Sequence, residues 1–115
     1  AHDCLRALRE LIRPCPPCSG LAAKAPRLPA KFMPQRYEVM IHSIGLEEES
    51  PSVAYPEDPQ PNGDRLIQEN MVLVAELYCG EVGGRDGVKL GDQLVVTADG
   101  VRDLVPYRYC EALLR

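Results

Sequence analysis

Long apolar runs are missing from this sequence. The longest, residues 71–75, has the size of a strand, whereas a membrane-spanning helix needs ~18 apolar residues or more. A surplus of positive charge is missing as well: the net charge is -4 and the pI is near 5.1, which argues against a nucleic-acid surface. Nine glycines and eleven prolines stay below the share that marks a low-complexity chain, and no internal repeat is visible. Arg6, Arg9 and Glu10 interrupt the opening apolar residues, so no signal-peptide pattern stands there. What is left, 45% hydrophobic and 26% charged among 115 residues, reads as one small globular domain with no membrane or nucleic-acid role.

Leu5, Leu8, Leu11 and Ile12 recur at spacings of three and four, which predicts a helix with one apolar face. It should stop at Arg13, because Pro14, Pro16 and Pro17 lack the N–H that would continue it. The sequence enters this helix from Ala1 with no preceding cap, as a piece of a longer chain would. The apolar face is then expected to serve as a docking surface for the missing part. A weak helical stretch over 21–25 follows Ser19-Gly20, and 30–34 reads as a turn or short helix. The five cysteines include Cys15 and Cys18 at C-x-x-C spacing. A structural zinc needs four ligands, yet the other sulfurs are far off and the histidines are only His2 and His42. Free thiols in a reducing, cytoplasmic setting are expected, with a zinc site at Cys15 and Cys18 as the alternative.

Residues 37–41 read as a strand, with Val39 and Ile41 on one face, Glu38 and Met40 on the other, and His42 near its end. The acidic stretch 47–64, punctuated by Pro51, Pro56, Pro59 and Pro61, is expected as a surface loop and not as a core element. Residues 71–78 form a buried-type strand, 87–97 form another, and Asp99-Gly100 turns the chain into a last strand over 101–105. Helices first and antiparallel strands after make an α+β order. Two polar residues interrupt runs that otherwise read as buried: His42 and Glu76. A buried carboxylate is costly unless it is paired or coordinates a metal, and an imidazole with a carboxylate on neighbouring strands suits a first-row divalent ion. The plainer alternative is a histidine with a backbone partner and a glutamate paired with Arg or Lys.

Three ordered blocks carry a resemblance. Arg36-Tyr37-Glu38-Val39-Met40-Ile41-His42-Ser43-Ile44-Gly45-Leu46, followed by acidic residues and Pro51, resembles the H-G-I-G-L segment of the M24 metallopeptidase and creatinase family. Met71-Val72-Leu73-Val74-Ala75-Glu76 is similar to its G-M-V-L-x-x-E strand, and residues 87–100 are similar to its closing G-V-R-I-E-D-x-V-L-V-T-x-D-G. The resemblance implies a partial pita-bread fold, a bent antiparallel sheet with N-terminal helices. Residues 1–115 would be the incomplete C-terminal portion of a catalytic domain, with 1–35 as helical lead-in and 36–105 as metal-site strands. The family holds two divalent ions (Mn, Co, Zn or Fe) with two Asp, one His and two Glu. Residue by residue, His42 falls on the metal-binding His and Glu76 on the first Glu. Gly91 stands where the second Glu belongs, and both Asp would precede this chain.

The implied activity is that of a metal-dependent hydrolase, an Xaa-Pro peptidase or creatinase-like enzyme, acting on a peptide or small-molecule substrate. The chain alone is expected to be inactive, and its partners would be the missing N-terminal half and, in the family's habit, a second copy. Glu76-Leu77-Tyr78 departs from the peptidases' Glu-Pro-Gly, and Glu49 occupies their second-His position. Tyr37 and Glu48 instead look like the dimethylsulfoniopropionate lyase branch, in which an acid serves as general base at the substrate's α-carbon. Tyr37 and Glu48 are therefore the catalytic candidates, and a C–S lyase is the second expectation. Gly91 also admits a third, a non-catalytic binding module on the same sheet.

Overall fold

The computed structural model describes residues 1–46 and 48–114, without the side chains of Glu48 and Glu49. Two helices, α1 (His2–Leu11) and α2 (Cys18–Lys24), and a 3-10 turn at Ala30–Gln35 precede five strands. These are β1 (Val39–Ile44), β2 (Glu48–Ala54), β3 (Val72–Gly80), β4 (Gly87–Val96) and β5 (Val101–Asp103). They form one open sheet in the order β2-β1-β3-β4-β5, and every neighbouring pair is antiparallel. The α+β order expected from the sequence is the one observed.

One face of the sheet carries the core. Leu73, Ala75 and Leu77 of β3 are essentially inaccessible, and so are Leu5 and Leu8 of α1, which packs on β3 and β4. The apolar face of α1 is thus covered by this chain's own sheet, and the expectation of a free docking surface there is wrong. The helix ends at Leu11, short of Arg13, because Ile12 turns to extended backbone and buries its side chain. α2 begins at Cys18, earlier than expected. The turn before it is pinned by Cys15 N–H donating to Ile67 O at 3.0 Å and Cys18 N–H to Arg65 O at 2.9 Å. Cys15 is exposed, Cys18 is buried, and neither is in a disulfide.

Two expectations about the strands need correction. β1 spans Val39–Ile44 and not residues 37–41, so His42 lies inside the strand, two residues before its end. Met40, Ile41 and His42 are all buried in succession, which simple alternation forbids. The register against β2 shifts between Val39 and Ile41 and again between His42 and Ser43, and such bulges re-aim side chains. The stretch 47–64 is not merely a surface loop, since β2 occupies its first part and Val53, Ala54 and Tyr55 enter the core. Proline is tolerated there because β2 is the edge strand, where half the backbone N–H groups need no sheet partner. The hairpin at Asp99-Gly100 forms as read, closed by Thr97 N–H donating to Gly100 O at 2.9 Å, although β5 stops at Asp103.

A polar network holds β4 to the helical layer. Arg9 of α1 donates to Asp92 Oδ2 and to Asp103 Oδ1, each at 2.7 Å, and the Tyr109 hydroxyl donates to Asp92 Oδ1 at 2.7 Å. Burial, then the hydrogen bond to Asp92, pushes the Tyr109 phenol up to about 12.

Candidate functional site

Opposed residues of an antiparallel pair share a face, and so do residues two apart along a strand. β1 and β3 pair with His42 opposite Val74, and β3 and β4 pair with Glu76 opposite Gly91 and Tyr78 opposite Lys89. His42, Glu76, Gly91 and Lys89 therefore lie together on the face turned away from the helices. Alternation along β3 agrees, with Leu73, Ala75 and Leu77 buried beneath and Val74, Glu76 and Tyr78 partly accessible above.

The His42 and Glu76 side chains are 7% and 15% exposed, and Nε2 of the imidazole stands 3.6 Å from Oε1 of the carboxylate. Nδ1 of His42 lies 3.1 Å from Ser43 O. A carbonyl oxygen can only accept, so this contact is a hydrogen bond in the forms of the imidazole that carry a proton on Nδ1, and it orients the ring with Nε2 facing Glu76. Oε2 of Glu76 faces Lys89 Nζ at 3.0 Å. The same ammonium sits 5.0 Å from the centre of the Tyr37 ring, which leans on Tyr78 with ring centres 5.9 Å apart. The hydrogen bond to Glu76, and after it one to Tyr37, holds the Lys89 pKa above its ordinary value.

Two of the residues singled out from the sequence, His42 and Glu76, are thus in contact, and Tyr37 joins them through Lys89. Glu48 lies outside the described side chains; its backbone pairs with Ile44 on the neighbouring strand. Lys89 escaped the sequence reading. The available signal was its place two residues before Gly91 on an alternating strand. A groove of about 460 Å³ opens beside Tyr37, between Arg36, Val39, Asp58 and Pro61, without reaching His42 or Glu76.

The donors present do not fit a two-ion centre. Among the described residues no three His, Cys, Asp or Glu side chains gather where a metal could be held. Across from Glu76 stands Gly91, where a Cβ would lie 3.1 Å from the Glu76 Cβ and 3.6 Å from its Oε2. A carboxylate on that Cβ would adjoin Glu76, but only after the strands part by a few tenths of an ångström. The arrangement as it stands offers one imidazole and one carboxylate, with an ammonium on the carboxylate. Among the described residues no such cluster includes Cys15 and Cys18, and no helix is long and apolar enough to cross a membrane.

Comparison with known proteins agrees with the resemblance. The sequence pattern of metallopeptidase family M24 matches residues 1–98. The chain is 34% identical over 115 residues to a dimethylsulfoniopropionate lyase of Roseovarius nubinhibens, covering 99% of this chain and 26% of that protein. The dimethylsulfoniopropionate lyase of Roseobacter denitrificans is 34% identical over 111 residues, covering 96% of this chain and 25% of that one. The chain thus spans about a quarter of the length of these curated relatives. Among solved structures, a prolidase from Pyrococcus furiosus superposes with a TM-score of 0.70 at 17% identity, over 94% of this chain and 31% of that one. An X-Pro aminopeptidase from Thermotoga maritima gives 0.69 at 16% identity, over 93% of this chain and 29% of the other.

Proposed function

Since the chain belongs to metallopeptidase family M24, with a partial pita-bread fold, we propose that it is the C-terminal part of a metal-dependent catalytic domain. In this reading it contributes His42 and Glu76 as two metal donors and has no activity alone. The observation that carries it is the pairing of His42 and Glu76 on one sheet face, 3.6 Å apart and largely buried, with a glycine across from the glutamate. A bound divalent ion would supply Lewis acidity. The remaining donors and the rest of the substrate pocket come from polypeptide outside these residues.

Two activities compete for the whole domain, Xaa-Pro peptide hydrolysis and C–S bond cleavage. The likeness to peptidases is one of fold, at 16–21% identity, whereas the likeness to the lyases is 34% identity along nearly the whole chain. The reading adopted is therefore a lyase acting on a β-sulfonio carboxylate. A carboxylate base, assigned to Glu48, takes the proton α to the substrate carboxylate. The released electron pair forms the carbon–carbon double bond, and the C–S bond breaks to expel the neutral sulfide. Tyr37, held against Lys89 and Tyr78, borders the site as a binding residue.

The test is turnover by the purified chain with Mn²⁺, Co²⁺, Zn²⁺ or Fe²⁺. Dimethylsulfoniopropionate and an Xaa-Pro dipeptide serve as separate substrates. No sulfide and no proline should be released. Metal-dependent turnover that disappears in His42→Ala would show that the chain is an enzyme by itself and overturn the reading.

A further inference from the structure

Cys4 and Cys79 lie far apart in the sequence and close together in the fold. We propose that their thiols form a reversible redox clamp: a small disulfide of the glutathione class oxidises them to an intramolecular disulfide that ties α1 to β3. The proposal is independent of the metal-donor reading.

Helix and strand run in opposite directions across the core. Ala1, His2 and Asp3 line one cavity of about 520 Å³ with Cys79, near the end of β3, whereas Arg9 bonds to Asp92, which pairs with Ala75. The first turn of α1 therefore lies over the Cys79 end of the strand. Both side chains face this layer. Cys79 follows Leu73, Ala75 and Leu77 at intervals of two, on the face turned to the helices. Cys4 stands one turn before Leu8, on the stripe that meets the sheet, and packs against the cluster that contains Cys79. Burial pushes the Cys4 thiol up, the N-terminal ammonium draws it down, and the charge of Cys79 raises it again, so the two sulfurs feel one another. Both are free thiols, Cys4 partly accessible and Cys79 buried.

That difference in access orders the steps. The Cys4 thiolate attacks one sulfur of oxidised glutathione and expels a glutathione thiolate. The Cys79 thiol then loses its proton to solvent, its sulfur attacks the Cys4 sulfur of the mixed disulfide, and the second glutathione leaves as thiolate. Two cysteine thiols are oxidised and one glutathione disulfide is reduced; a dithiol reverses the exchange. The new bond closes a long loop, from residue 4 to residue 79, so the unfolded chain loses freedom and the Tm should rise by roughly 10 °C.

The test treats the reduced chain with oxidised glutathione, digests it with trypsin without reduction, and identifies linked peptides by mass spectrometry. Thermal unfolding followed by circular dichroism runs beside it. Residues 1–6 and 66–85 are tryptic peptides with one cysteine each, so a Cys4–Cys79 link has a mass of its own. That link and the rise in Tm are expected, both lost with dithiothreitol and in Cys4→Ser, and both kept in Cys110→Ser. A Cys79–Cys110 link, glutathione held on Cys4 without a link, or no oxidation at all overturns the proposal. A Cys4–Cys79 link that leaves the Tm unchanged or lowers it overturns it too. Should Cys4→Ser fail to fold, the peptide map and Tm of the unsubstituted chain decide the matter.

Discussion

The position of β4 decides where Gly91 and Lys89 stand, and Arg9 is the residue that fastens β4 to the helical layer. Arg9 and Asp92 are 24% and 16% exposed and meet at 2.7 Å, while the second Arg9 contact, to Asp103 at 2.7 Å, is 40% exposed on the aspartate side. A charge-assisted hydrogen bond at a partly buried site contributes about 1.5–3 kcal/mol, and an exposed ion pair roughly 0.5 kcal/mol. Arg9→Ala should therefore destabilise the chain by about 2–3 kcal/mol. For a domain of this size that is a fall in Tm of roughly 8–12 °C. Because the loss is mostly one bond, a double-mutant cycle with Asp92→Asn should return a coupling of about 1.5 kcal/mol, read by urea unfolding followed by circular dichroism. Salt should weaken that coupling only slightly, since partly buried pairs are poorly screened. A coupling under about 0.3 kcal/mol would refute the assignment of Arg9 as the fastening residue.

Other outcomes follow from the core. Tyr55 is fully buried and its hydroxyl has no hydrogen-bond partner among the described residues, so Tyr55→Phe should raise unfolding stability by about 1 kcal/mol. A loss of similar size in urea titration would mean that the hydroxyl is satisfied after all. Burial pushes the Tyr55 phenol up to about 12, as it does that of Tyr109. A phenol that ionises near 10 when unfolded and near 12 when folded binds its proton longer in the native state. Stability should accordingly hold up to pH ~10 and fall between pH ~10 and ~12, and Tyr55→Phe should flatten part of that fall. A stability that rises with pH across the window would contradict the sign. Leu8→Ala, which removes a wholly buried side chain between α1 and the sheet, should cost about 2–5 kcal/mol in the same assay.

The sequence reading succeeded where one rule acts alone. The continuous apolar run 71–75 was enough to bring out β3 and to mark Glu76 as the polar residue that interrupts it. The Asp99-Gly100 pair was enough for the last hairpin, and the spacing of Leu5 and Leu8 for α1. It failed where tertiary context overrides a local signal. The acidic, proline-bearing stretch after Glu47 reads as a loop, yet an edge strand tolerates Pro51 and the core takes Val53 and Tyr55. The bulged register of β1 buries Met40, Ile41 and His42 in succession, and no alternation pattern announces that. The covered face of α1 was misjudged for a related reason, since a helix's apolar stripe does not say which layer it meets. Lys89 on Glu76 and Arg9 on Asp92 depend on strand register and on a helix far away in sequence, so neither contact could be read from spacing. The juxtaposition of His42 with Glu76 came from the family resemblance; composition alone left each with a plain structural alternative.

If His42 and Glu76 belong to a metal site, as proposed, its other donors are carried by polypeptide preceding these residues. Reading the coding DNA upstream of the Ala1 codon, with codon 91 reread on the same template, tests it most directly. The expected result is an open frame continuing upstream through strand-patterned segments that carry two aspartates. A stop codon close before Ala1, with glycine kept at position 91, would contradict it and leave the sheet as a binding module without catalysis.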